Sequence, residues 1–187
     1  MSDFEFIFAL FGLLLGLSLA EVLGGLARAI ENRLRPSSPA RIGLLTPLLG
    51  AFVILDLLSF WQAAWVVRET VGVSGKTLMA VTAFASSYYF AAHLVFPRNA
   101  DTHVDFDAHF FRVRRIVIGI LLALLLCQLG WYSTIPSLAA HLFNPLSAAL
   151  TVVLVGLMLG AMTVRTPRWS QAVMIALVCR YVLVYLL

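Results

Sequence analysis

Six apolar runs of membrane-spanning length take up almost the whole chain, at about 4–30, 42–67, 76–96, 113–135, 144–164 and 170–187. About 20 consecutive apolar residues cross the hydrocarbon core of a bilayer as a helix. Inside that core every backbone amide and carbonyl needs an internal partner, which a helix supplies. A chain written this way is expected to be all-α, a polytopic membrane protein built as a bundle of six transmembrane helices. The connections are too short to fold separately, so 1–187 is read as a single transmembrane domain. Charged residues make up 12% of the chain, roughly half the share in a soluble domain, as expected where lipid is the main solvent.

The basic residues set an orientation. Arg28, Arg33, Arg35 and Arg41 follow the first run, Arg98, Arg112, Arg114 and Arg115 surround the third connection, and Arg165 and Arg168 lie in the fifth. The other side has only Arg68 and Lys76, and Arg180 is inside the last run. Ten against two assigns the three arginine-rich connections to the cytoplasm and both termini to the outside, N-out and C-out. The net charge of +4 therefore reflects topology, and no nucleic-acid partner is expected. The first run lacks a basic segment before it and is too long for a cleavable signal, so it is expected to stay as an anchor. All seven prolines fall in connections or near helix ends. Helices broken at mid-depth, a common device of transporters, are not expected.

Small residues recur every four positions in the first run at Gly12, Gly16, Ala20 and Gly24, and briefly in the fifth at Gly156 and Gly160. Such stripes let membrane helices approach closely. They are read as helix-packing positions, with the first helix central to the bundle or, alternatively, forming a seam with a second copy.

Ionisable side chains at membrane depth cost about 2.5–3.5 kcal/mol at a helix centre, which makes Glu21, Asp56, His93 and Arg180 the first functional candidates. Ser18, Glu21, Gly25 and Arg28 share one helix face, and Thr82, Ser86, Tyr89 and His93 share another. Two polar stripes at matching depth would line a cytoplasm-facing cavity with Glu21 and His93 as its titratable groups. Histidine changes charge near neutral pH and suits a proton relay. The structural alternative is that these residues only join neighbouring helices. Asp56 and Arg180 both lie near mid-depth, and an ion pair between them would offset part of the cost of each, with Gln128 beside it. Arg180 is also close enough to the C-terminus to snorkel outward.

The third connection reads Asp101-Thr-His103-Val-Asp105-Phe-Asp107-Ala-His109. It matches no known ligand motif, so no metal is expected. Asp105 or Asp107 is expected to cap a helix start. Phe106, Phe110 and Val113 would then lie in the membrane interface, with Arg112, Arg114 and Arg115 near anionic headgroups. Trp61, Trp65 and Trp131 mark one boundary and Trp169 the other. Cys127 and Cys179 are read as small buried apolar residues. No nucleophile–histidine motif, phosphate loop or haem spacing is present, so neither an enzyme nor a cofactor is expected.

The stretches FEFIFALFGLLLGLSLAEVLGGLARAI, TPLLGAFVILDLLSFW and LVFPRNADTHVDFDAHFFRVRR together resemble an uncharacterised group of small multi-pass inner-membrane proteins from Gram-negative bacteria. The resemblance covers mainly the first two-thirds of the chain. It implies a bacterial inner-membrane setting and no particular chemistry. The function expected is a small channel or transporter with a polar pathway or gate drawn from Glu21, Asp56, Ser86, Tyr89, His93, Gln128 and Arg180. The alternative is a non-catalytic membrane subunit or sensor acting through helix–helix association. The partners expected are the lipid bilayer and a second copy or another membrane protein.

Overall fold

The computed structural model describes residues 3–34, 43–68, 72–97 and 105–186. Arg35, Pro36, Pro39, Arg41, Arg98, Asp101 and His103 lie outside the described residues. Every element among the described residues is a helix: α1 (Asp3–Leu34), α2 (Leu45–Val66), α3 (Gly75–Val95), α4 (Phe106–Tyr132), α5 (Pro136–Leu142), α6 (Pro145–Thr163) and α7 (Pro167–Leu186). Five of them, α1, α2, α3, α6 and α7, are long and apolar enough to cross a membrane. That set is compatible with a multi-pass membrane protein. The short α5 was not foreseen. It follows the turn at Ser133–Ile135 and begins with Pro136, whose missing amide is harmless in a first helical turn.

The first helix is not the centre of the bundle. It packs along α3 and against α2, whereas α2 touches α1, α3, α4 and α7. Of the small-residue stripe only Gly12 shares in these contacts. The inward face of α1 is Phe11, Leu15, Ser18, Val22, Gly25 and Ala29, spaced three or four apart. Gly25 is required there, because a Cβ would collide with the ring of Phe96. By contrast Gly16 and Ala20 are exposed, Gly24 meets only Arg28 of its own helix, and only Gly12 approaches another helix, at Trp61. In α6, Gly156 faces open space and Gly160 makes ordinary contact with Val173. The spacing-of-four rule found small residues but not the buried face, which large residues define.

At the arginine-rich end, the start of α4 is clamped to three other helices. Asp105 caps it as expected, accepting from the amides of Asp107 and Ala108 at 2.9 and 3.2 Å. Asp107 accepts from the Leu45 amide at 3.2 Å, meeting one of the unpaired amides that open α2. Thr46 donates to the Phe106 carbonyl. Phe106, Phe110 and Val113 are therefore in the protein core and not in the membrane interface. Arg114 is likewise not at the headgroups. It is 3% exposed and donates to the carbonyls of Ala161 and Val164, closing the C-terminus of α6, with Ser170 at 3.4 Å and the Phe111 ring at 4.7 Å. Arg112 and Arg115 stay exposed.

His109 completes the clamp. Its Nε2 lies 3.2 Å from the Leu94 carbonyl on α3, so Nε2 carries a proton and donates. Burial holds its pKa below the ordinary histidine value; the bond to Leu94 opposes this, and Arg112 adds to it. The fold thus favours the neutral ring. The stabilisation is fully present above about pH 6.5 and is lost as pH falls from there through the lower folded value. Asp107 acts in the opposite sense, because burial raises its pKa and acid relieves that cost. Acidification from about pH 7.5 to about pH 5 is expected to lower the thermal midpoint more in the wild type than in His109→Gln. Equal slopes for the two proteins would contradict this role.

Candidate functional site

Asp56 sits halfway along α2 and is 6% exposed. A carboxylate so placed needs donors, since an unpaired buried charge is very costly. Two tyrosines from other helices supply them. Tyr88 of α3 donates to Oδ2 at 2.9 Å, and Tyr181 of α7 donates to Oδ1 at 2.5 Å. The cluster ties three helices together at mid-depth.

Local packing explains why these tyrosines point inward. Ala85, Tyr88, Ala92 and Val95 form the buried face of α3, and small alanines on either side leave room for the phenol. Met174, Leu177 and Tyr181 form the buried face of α7. Tyr88 leans against Phe60 at 5.2 Å between ring centres, and Tyr181 against Phe52 at 5.9 Å.

The expected Asp56–Arg180 ion pair does not form. Consecutive helical residues point about 100° apart, so the turn that aims Tyr181 at Asp56 turns Arg180 aside. Its guanidinium donates to the Leu150 carbonyl at 3.3 Å and lies 5.0 Å from the Tyr181 ring centre. Nor does it snorkel clear of the protein. It lines a cavity of about 130 Å³ together with Asp56, Ser59, Gln128, Thr151 and Tyr181. The Nε of Arg180 is buried without a hydrogen-bond partner. Asp56, Gln128 and Arg180 are thus brought together as the sequence suggested, around a cavity and not in a pair.

Glu21 and His93 also meet, with His93 Nδ1 2.9 Å from Glu21 Oε1, both partly exposed. Tyr89 is exposed and stacks on His93 at 6.0 Å. Ser86 is half-buried and Thr82 exposed. This stripe follows the outer edge of the α1–α3 contact and joins the two helices. The large cavity is elsewhere, in the half of the bundle opposite the arginine-rich end. It measures about 590 Å³ and lies between the start of α1, the end of α2, the start of α3 and the end of α4. Phe8, Phe11, Phe84 and Trp131 form much of its wall, and Lys76 and Thr77 stand on its α3 side. Gln128 donates to the Tyr132 hydroxyl at 3.1 Å, and Tyr132 donates to the Ala63 carbonyl at 3.1 Å.

The two cavities share Phe60 and Gln128. Phe60 stacks on Phe84 at 4.4 Å, so an aromatic pair and one amide separate the apolar chamber from the carboxylate. Cys127 also lines the larger cavity, and both cysteines are exposed and unpaired, not buried as expected. Among the described residues no group of histidine, cysteine and acidic side chains is placed to hold a metal.

Sequence reasoning missed Tyr88 and Tyr181. Tyr88 is adjacent to Tyr89, and the polar periodicity of α3 picked the wrong one of the two. The inward spacing Ala85–Tyr88–Ala92 was the available signal. No family model, curated protein or solved structure matches the chain.

Proposed function

We propose that the protein is a small proton-conducting channel of the bacterial inner membrane, with Asp56 as its mid-membrane proton acceptor. One observation carries this reading. A buried carboxylate borders a polar cavity that shares two wall residues with a larger chamber reaching toward one end of the bundle. Ionisable residues at such depth mark ion and proton pathways by default. The cavity beside Asp56 is large enough for several water molecules, and the buried Nε of Arg180, a residue of its wall, has no hydrogen-bond partner. Tyr88, Tyr181 and Gln128 hold the carboxylate and its surroundings. Glu21 and His93 fasten α1 to α3 outside the path.

In this reading α4 is the sixth span. Residues 116–127 carry no charged side chain, and the arginines before them sit at the cytoplasmic boundary. The bias of basic residues then makes the protein N-out and C-out, and the large chamber opens toward the periplasm. The test is proton flux into proteoliposomes under an imposed potential, read with an entrapped pH dye. Flux above empty liposomes is expected for wild type and Glu21→Gln, and none for a folded Asp56→Asn. Absence of wild-type flux, or flux that survives Asp56→Asn, would overturn the reading in favour of a non-catalytic subunit.

A further inference from the structure

We infer that the larger chamber is a binding site for a long-chain carboxylate, with its tail among the aromatic side chains and its carboxylate at Lys76. The chamber's volume, about 590 Å³, falls in the range of about 300–1,000 Å³ typical of small-molecule sites. Its wall is aromatic and aliphatic, from Phe8 and Phe11 on α1 through Phe84 on α3 to Trp131 on α4. A polar solute that passes through finds few donors there to replace its hydration, so it is not retained. An alkyl tail loses nothing and leaves less apolar surface exposed.

The polar groups on the wall select the head. Lys76 is exposed on the first turn of α3 and has no ionic or hydrogen-bond partner among the described residues. No acidic side chain is among the described residues that line the chamber. The first turn of α3 adds the positive end of a helix dipole on the same side. A cationic head is disfavoured at this position, and a neutral head would leave the ammonium unpaired. The amide of Gln128, at the far end, donates to Tyr132 and carries no charge, so it does not compete with Lys76 for the carboxylate. Chamber occupancy is independent of whether protons pass Asp56, so binding and flux are separate results.

The experiment uses the full chain in nanodiscs of zwitterionic phosphatidylcholine, titrated with radiolabelled palmitate. Saturable binding is expected, about tenfold weaker in Lys76→Glu and retained in Lys76→Arg. Ala64→Phe, which places a ring inside the chamber, is expected to reduce the number of occupied sites. Hexadecylammonium of the same length is expected not to compete. Uptake no greater than that of empty discs would overturn the inference. So would binding that both Lys76→Glu and Ala64→Phe leave unchanged, since that is partition into surrounding lipid. Displacement by phosphatidylglycerol as effective as by palmitate would also overturn it, assigning the chamber to a diacyl lipid.

Discussion

Replacing Arg114 with alanine is expected to lower the unfolding midpoint by about 6–12 °C. The guanidinium is buried and reaches the Ala161 and Val164 carbonyls, at the helix end where carbonyls lack amide partners. Hydrogen bonds from charged groups contribute about 1.5–3 kcal/mol each, and stranded acceptors add their own desolvation cost. A loss of about 3 kcal/mol corresponds to that shift at about 2–4 °C per kcal/mol for a chain of this length. Arg114→Lys keeps the charge but not the planar fork, so an intermediate midpoint is expected. Thermal unfolding in mild detergent measures both. An Arg114→Ala midpoint matching that of Arg112→Ala, an exposed neighbour, would show that the contact does not hold α4 to α6.

The second large effect is at Asp56, where two substitutions separate function from stability. Asp56→Leu leaves the hydroxyls of Tyr88 and Tyr181 without an acceptor in a buried site, at about 1–3 kcal/mol each. Asp56→Asn has nearly the same shape and still offers one carbonyl oxygen. In Asp56→Leu, removing the buried carboxyl relieves its own desolvation cost and offsets part of the loss at the two tyrosines. A midpoint lower by about 4–8 °C, a net loss of about 2 kcal/mol, is therefore expected for Asp56→Leu and a much smaller change for Asp56→Asn. Proton flux is expected to vanish in both, because neither side chain carries a titratable carboxyl. Tyr88→Phe removes one donor only and should retain flux while losing about 1 kcal/mol. A folded Asp56→Asn protein with wild-type flux would leave the cluster with a purely architectural role.

How much of this was legible in the sequence depends on the physical signal involved. Length and apolarity marked the helices, because the backbone in lipid has few alternatives. The cap at Asp105 was legible because capping is local. The faces of the helices were less so. In a soluble helix the polar face points outward, but on a lipid-facing helix both faces are apolar and periodicity loses contrast. Gly16 and Ala20 were therefore placed inside when they are exposed, and Tyr89 was chosen over Tyr88. Arg114 was taken for a headgroup contact because it belongs to the same basic cluster as Arg112 and Arg115, which are exposed. Only the path of α6, distant in sequence, reveals its carbonyl partners. Asp56, Gln128 and Arg180, grouped by depth in the sequence, line one cavity, but depth alone does not say which of two adjacent residues on α7 faces the carboxylate.

The central claim is that the Asp56 cavity is reached from the Lys76 end of the bundle past Phe60 and Gln128. The most direct measurement is the reactivity of a single cysteine at position 151 toward a membrane-impermeant thiol reagent. Thr151 lines the Asp56 cavity, and its hydroxyl bonds only the Ser147 carbonyl of its own helix. The Thr151→Cys change, made in a Cys127→Ala, Cys179→Ala background, therefore leaves the cluster untouched. Reagent added on the Lys76 side is expected to label the cysteine, with labelling slowed by Ala64→Phe, and reagent on the arginine-rich side is expected to leave it unmodified. Labelling only from the arginine-rich side, or from neither, would contradict the account.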